Sequence, residues 1–590
     1  MERLQILAIS MFLMACSGDV APPASQQEVA PVERRTDDSQ SLFIDQATTL
    51  GLDFTHWNGM TGELLLVEIT CGGAALVDVD RDGDLDAYLL QGAFISRQHT
   101  PEKAILPRPS ESLESQLYLN QLNEDNALRF AAGSDSPLPK PILPKQVSGT
   151  YACAVATGDV DNDGWVDLYV VNLGPNQLLR NLGDGRFEDV TAAASQGETV
   201  LGDPGPGTSA TFFDLEGDGD LDLYVANYSD FSPENETGCF SLSGAPDYCG
   251  PGAYPMVGDR LYENLGDGTF TDMTAASGVA AAPWRPALGV VAGDWNNDGR
   301  PDLFVANDGQ ENNLWLQQED KTFIDEALLA GAALNAVGAT EASMGVDAGD
   351  YDNDGDLDLV LAHLAKETNT LYRNDGRGGF SDATTPSGLG PPSLPFTAFG
   401  IGFLDYDNDG WLDLFVANGA VTLIPEQVAA GDPLPLHQTN QLLRNRDGLF
   451  EDVTATAGAA LQHSEVSRGA AFGDIDNDGD MDILVTNVAG PARLLVNQVG
   501  QDKPWLGVRL LDGERDALGA QAAILVDGEP RTWRRVRADG SYVSASDPRV
   551  LFALGDSTPD GVRVRWADGT EEDFGDVEVG RYNVLRRSAR

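Results

Sequence analysis

Apolar residues fall along this chain in short, nearly continuous runs rather than in long amphipathic stretches. LYVVN, LYVAN and LFVAN share one polar line ahead of them. A second run follows each: QLYLN at 116, QLLRN at 177, RLYEN at 260, NLWLQ at 313, TLYRN at 370, QLLRN at 441 and RLLVN at 493. A glycine-rich turn and a third run, as in GDGRFEDVT, GDGTFTDMT and RDGLFEDVT, end most units. Runs this short, bounded by Gly, Asp and Asn, predict strands. The closest spacing between units is 55 residues, and longer intervals carry insertions at 92–115, 229–258 and 420–439. A period of that size, with about four strands per unit, suits the blade of a propeller. Strands apolar on both faces fit a blade held between two neighbours.

The polar line is the candidate chemistry. It has Asp at positions one, five and nine and Gly at six, and it occurs seven times, numbered here as loops 1–7. Loop 1 holds Asp78, Asp80, Asp82, Asp84 and Asp86; loop 2 holds Asp159, Asp161, Asp163, Trp165 and Asp167. Loop 3 holds Asp214, Glu216, Asp218, Asp220 and Asp222; loop 4 holds Asp294, Asn296, Asp298, Arg300 and Asp302. Loop 5 holds Asp350, Asp352, Asp354, Asp356 and Asp358; loop 6 holds Asp405, Asp407, Asp409, Trp411 and Asp413; loop 7 holds Asp474, Asp476, Asp478, Asp480 and Asp482. Carboxylates so crowded repel one another unless a hard cation joins them, and all-oxygen ligation points to Ca²⁺ over zinc or copper. Position seven, including Trp165, Arg300 and Trp411, is expected to offer its carbonyl. An EF-hand is excluded, because position twelve is apolar in every copy (Leu89, Val170, Val225, Val305, Leu361, Val416, Val485) where that motif needs Glu. Up to seven structural calcium sites are expected. Loop 4, with Asn296 and Arg300, is expected to be the weakest.

Five units end in a Phe-led strand, at Phe187, Phe270, Phe323, Phe380 and Phe450, and the seventh lacks one. The segment SLFIDQAT at 41–48 supplies the missing strand and is expected to close the ring from the N-terminus. In this strand–loop–strand context the acidic line resembles the FG-GAP and VCBS repeats of integrin-α-type propellers. FTHWNGMTGELLLVEITCGGAALVDVDRDGDLD is similar to the first blade of cartilage-acidic-protein-like members. After residue 504, RDALGAQAAILVDGEPRTWRRVRADGSYVSASDPRVLFALGD and VRVRWADGTEEDF resemble the ASPIC/UnbV domain, with Ala567 where that family has Pro. The fold class expected is all-β: a seven-bladed propeller over 41–500 and a small β-sandwich-like domain over 504–588.

Composition changes the picture mainly through charge. A net charge of −56 disfavours nucleic acid and anionic lipid as partners. The apolar stretch at 4–15 is too short to span a bilayer and suits a signal h-region. It ends in LMAC, which resembles a lipobox; lipidation is expected at Cys16, after a signal peptide over 1–16 and ahead of a flexible linker over 17–40. Ser17 points to outer-membrane retention in a Gram-negative cell, with the lipid anchor as the only membrane contact. Among the remaining cysteines, Cys239 and Cys249 are expected to form a disulfide. Cys71 and Cys153 hold near-equivalent places in successive units and either pair or remain buried thiols.

No nucleophile elbow, HExxH motif or phosphate-cradling loop is present. His56, in HWNG, either faces the channel or is structural, and His363 stands where Asn usually follows an acidic loop. Trp57, Trp165, Trp284, Trp411 and Trp533 are either sugar platforms or anchors. No catalytic residue and no enzymatic activity is expected. The reading is a monomeric, membrane-tethered, calcium-binding scaffold whose insertions face a protein or glycan ligand at the cell surface. The alternative is a polysaccharide lyase or hydrolase working in the propeller channel.

Overall fold

The computed structural model describes residues 41–588, apart from 95–99, 109–112, 126, 133–150, 184, 198–199, 204, 233–237 and 242. The expected signal peptide, Cys16 and linker lie outside the described residues. Among the described residues, alternation of short apolar strands with acidic turns folds into seven successive four-stranded antiparallel sheets, the architecture of a propeller. Blade 2 runs from the inside out as Tyr151–Gly158, Asp167–Leu173, Gln177–Asn181 and Phe187–Asp189. Its first two strands are buried almost end to end because blades 1 and 3 cover both faces.

The ring is closed as the missing strand predicts. Phe43–Asp45 adds to the outer side of blade 7, pairing Phe43 with Asn497, Ile44 with Val496 and Asp45 with Leu495. The inner strand of blade 7, Ser467–Gly473, in turn lies against that of blade 1, Ala74–Val77. A repeated amide links the blades. The last residue of each third strand donates to the second-position carbonyl of the preceding loop: Asn181 to Val79 at 2.8 Å, Asn264 to Val160 at 2.7 Å, Gln317 to Leu215 at 2.7 Å and Asn374 to Trp295 at 3.0 Å. Asn445 reaches Tyr351 and Asn497 reaches Tyr406, and Asn120 completes the circle by reaching Ile475 of blade 7 at 2.9 Å.

The C-terminal residues form two further four-stranded sheets. Trp505–Asp512 pairs with Val550–Ala553, Arg515–Asp516 and, in parallel, Tyr582–Arg586. Gln521–Val526 lies between Glu529–Arg535 and Gly561–Arg565, with Glu571–Phe574 at the edge. This sandwich is not a separate lobe. Its loop from Arg537 to Arg549 descends into the channel and bonds to the inner strands. Val155 N–H donates to the Val543 carbonyl, Leu76 N–H to Ala545, Val346 N–H to Ser541, and Asp547 N–H to Phe472. Asp539 accepts from Thr211 Oγ1 at 3.0 Å and Ala292 N–H at 2.8 Å, and the Tyr542 ring packs on Phe399 of blade 6 at 4.9 Å. Glycine lets the two backbones meet: a Cβ on Gly73 would lie 2.0 Å from the Val543 carbonyl oxygen.

The other channel mouth is sealed too. Residues 57–70, the insertion at 420–439 and the described part of the insertion at 229–258 meet there, packing Met60, Ile69, Tyr248, Leu434 and Leu436 together. Arg468, fully buried, donates to the carbonyls of Ile69, Gly419 and Ala420 and lies 3.9 Å from the centre of the Phe399 ring. Cys239 is bonded to Cys249 in one of these insertions. Of the two readings for Cys71 and Cys153 the structure takes the first, a disulfide between the starts of blades 1 and 2.

Candidate metal centres

Each acidic loop joins the first and second strands of its blade, all on the face capped by the C-terminal sandwich. The local bend comes from Gly at position six, whose φ lies between +82° and +103° in all seven copies. Asn at position four adopts the left-handed region in loops 2, 4, 5, 6 and 7.

Position nine has a second task that spacing did not reveal. In loop 2 one Asp167 oxygen accepts Val160 N–H at 3.0 Å and the other accepts Asn181 N–H at 2.7 Å, so the carboxylate ties the loop to the third strand. Asp86, Asp222, Asp302, Asp358, Asp413 and Asp482 do the same in their blades. Burial raises the pKa of Asp86, Asp167, Asp222, Asp413 and Asp482 well above the usual carboxylate range, and lifts Asp302 and Asp358 to about 8. Position one is held similarly: Asp159, Asp294, Asp350, Asp405 and Asp474 each accept the amides four and five residues ahead, and Asp214 accepts those three to five ahead. Asp78 departs from this pattern and binds Arg509 of the sandwich at 2.8 Å.

Position five accepts the amide of position seven, as Asp163 does from Trp165 at 3.0 Å; Asp82, Asp218, Asp298, Asp354, Asp409 and Asp478 match it. Side chains at position seven turn toward neighbours: Asp84 to Asn123, Asp220 to Asn162 of the preceding loop, Asp356 to Asn297, and Asp480 to Gln501 N–H.

The loops therefore differ in how far their acids converge. Positions one, three and nine come together in loops 2, 5 and 6, and positions one, three and five in loops 1 and 7, with carboxylate oxygens within 4.8 Å of one another. Among the described residues, loops 3 and 4 form no such trio. In loop 3 Lys321 takes Glu216, and in loop 4 Asn296 brings no charge while Arg300 folds back onto Asp298. The sequence predicts up to seven sites with loop 4 the weakest; the missing trio in loop 4 is in line with that order, and the missing trio in loop 3 is not foreseen by it. At position three, Asp161 Oδ1, Asp352 Oδ1, Asp407 Oδ1 and Asp476 Oδ1 are buried without a hydrogen-bond partner. Orphaned carboxylate oxygens are costly to bury and suit a hard cation. If calcium binds, these oxygens and their converging neighbours are the groups that would hold it, and its contribution would be to neutralise them.

Sequence reasoning also missed the bases around the loops. Arg180 spans Asp161 (2.5 Å) and Asp163 (3.4 Å), Arg373 spans Asp352 (2.6 Å) and Asp354 (2.8 Å), and Arg444 spans Asp407 and Asp409. Their signal was an Arg recurring at the fourth place of QLLRN, TLYRN and QLLRN.

His56 and His363 are held by packing and hydrogen bonds. His56 is buried beside Tyr151, accepts Ala489 N–H on Nδ1, and burial lowers its pKa to about 4. His363 bonds to the Thr368 carbonyl and Ser343 Oγ. Trp57 is buried, Trp165 and Trp533 lie against Arg81 and Arg565, and Trp284 is 59% exposed.

Fold and loops together define a β-propeller of acidic-loop repeats capped by a β-sandwich. The chain belongs to the FG-GAP-like repeat family, whose model matches residues 132–225, 244–305, 294–361, 350–416 and 425–485, and its C-terminal part matches ASPIC and UnbV over 511–590. It is similar to cartilage acidic protein 1 of Xenopus tropicalis, 23% identical over 523 residues, covering 84% of this chain and 70% of that protein. The Homo sapiens protein of that name is 23% identical over 521 residues, covering 84% and 69%. Solved structures with some likeness include an Agrocybe aegerita protein recognising non-reducing terminal N-acetylglucosamine (TM-score 0.35, 16% identity, 63% of this chain and 90% of that one). Rhamnogalacturonan lyase YesW gives a TM-score of 0.30 at 13% identity, over 72% of this chain and 89% of that one. Likeness at that level carries no functional argument.

Proposed function

We propose that this protein is an exported, lipid-tethered scaffold, stabilised by calcium, that binds a protein or glycan at the cell surface through the insertion-bearing face. The observation that carries the calcium reading is the set of position-three oxygens buried without a hydrogen bond within converging carboxylates. Two disulfides are in keeping with an exported protein. The sealed channel favours a scaffold over an enzyme: the loop from Arg537 to Arg549 fills it from one side, and the insertions cover it from the other. Catalysis in the channel would require both seals to open.

The test is thermal unfolding in EDTA and in millimolar calcium, with binding to glycan and surface-protein arrays followed in both. At extracellular-type affinities each site contributes on the order of 1 kcal/mol. Chelation should lower Tm by many degrees, and array binding should occur without new reducing ends. A Tm indifferent to calcium overturns the calcium reading, and turnover of an arrayed polysaccharide overturns the scaffold reading.

A further inference from the structure

The fourth residue of the third strand reaches the acidic loop of its own blade where it is arginine. It is Arg180, Arg373 and Arg444 in blades 2, 5 and 6, but Leu119, Glu263, Leu316 and Val496 in the others. The three arginines sit beside the three loops in which positions one, three and nine converge. Each guanidinium takes an oxygen of the position-three carboxylate and one of the position-five carboxylate, while the other position-three oxygen is buried without a hydrogen bond, that of Asp407 lying 3.9 Å from the Lys503 ammonium.

Loop 7 is built in the opposite way. It has Asp at all five odd positions, and among the described residues none of these carboxylates is ion-paired. Arg549 approaches closely, but its ion pair is with Asp547, and its contacts to loop 7 are hydrogen bonds to the Asp474 carbonyl and the Asn477 side chain. Tyr582 donates its hydroxyl to Asp474 at 2.9 Å and brings no charge.

We infer that four of the loops fall into two electrostatic classes: Arg180, Arg373 and Arg444 are resident counter-ions that let loops 2, 5 and 6 keep their shape without a cation, whereas loop 7 has no ion-paired substitute. The inference rests on the calcium reading above for what fills the loops, but the arginine's role in the empty loop stands without it. In an empty loop 5, for example, Arg373 offsets the repulsion between Asp352 and Asp354; in a filled loop the cation does so, and the arginine becomes dispensable. Arginine suits this place because its fork spans two carboxylates at once. Loop 7 lies in the blade completed by Phe43–Asp45, so its cation and the closure of the ring depend on one another.

Arg373→Met and Arg444→Met, singly and together, test this by melting in EDTA and in saturating calcium. Arg563→Met, which breaks an exposed pair with Asp573 in the sandwich, is the control. In EDTA the two blade variants should melt several degrees below wild type and below the control. In calcium they should return to within about a degree of wild type. Unchanged melting in EDTA overturns the inference, as does an equal drop in both media, which would make the arginines simple packing residues. If wild type itself ignores calcium, the calcium reading fails, while the EDTA comparison still decides the role of the arginines. Hydrogen exchange adds the second class: on chelation, loop 7 and strand Arg493–Asn497 of wild type should lose protection before loops 5 and 6, and the reverse order overturns it.

Discussion

At the residue scale, the molecule turns on side chains that do two jobs. The position-nine aspartates gather carboxylates and also fasten each loop to its third strand, which explains why that position never varies among the seven copies while position three does. Glu68 has a different burden. It is 1% exposed at the sealed channel mouth, receives Leu65 N–H, and faces Tyr248, on which Arg468 also acts, with Glu63 nearby. Burial raises its pKa from 4.5 to about 7. Because the folded value lies above the unfolded one, the stability tied to its proton is complete below about pH 4.5 and lost as pH rises through 7. Glu68→Gln keeps the side chain neutral and removes that dependence. Between pH 5 and 8 the wild type should lose up to about 3 kcal/mol relative to the variant. Chemical denaturation of both proteins at several pH values checks this, and parallel pH profiles would contradict it.

At the element scale, the decisive strand is Phe43–Asp45. It covers what would otherwise be an open edge on blade 7, and Arg493 secures it by pairing with Asp45 at 2.9 Å and with Glu465. Phe43 is 1% exposed and packs with Leu404, Tyr406, Leu461 and Leu495, reaching from blade 7 to blade 6. Phe43→Ala should cost about 3–5 kcal/mol by lost burial and the cavity left behind. It should also speed amide exchange in Arg493–Asn497 more than in the third strand of blade 4, Asn313–Gln317. Equal acceleration in the two strands would mean that the closing strand has no special place.

At the scale of the whole molecule, propeller and sandwich are interlocked rather than merely joined. Arg549 shows this most clearly. It is held by Asp547, rests on the Tyr582 ring at 4.1 Å, and donates to Gly83 of loop 1 and Asn477 of loop 7, bridging the seam between the first and last blades. With the loop from Ser541 to Asp547 bonded to inner strands around the ring, neither part can open without exposing the other's backbone. Denaturant unfolding should therefore be one transition. Amide protection in Gly561–Arg565 of the sandwich and in Asp167–Leu173 of blade 2 should vanish at the same denaturant concentration. Loss of the sandwich strands first, with blades still protected, would show two independent domains.

The repeat made much of this legible beforehand. Strand runs, glycine bends and alternate acids are local features, and local features recur wherever the chain repeats, so blades, loops and even the borrowed closing strand follow from spacing. The insertions and the RADGSYVSASD loop could not be placed in that way. Their segments have no period, and their partners lie hundreds of residues away, as Tyr542 does from the Thr70 carbonyl to which it donates at 2.9 Å. The pairing of Cys71 with Cys153 also waited on the ring, since only the angle between blades 1 and 2 brings those strand starts together. For the loops the division is sharpest. Sequence alone determined that seven sets of acids exist; only the tertiary structure decided which of them converge, because the bases that hold or spare them (Arg180, Lys321, Arg373, Arg444, Arg509) arrive from other strands, another blade and the C-terminal sandwich.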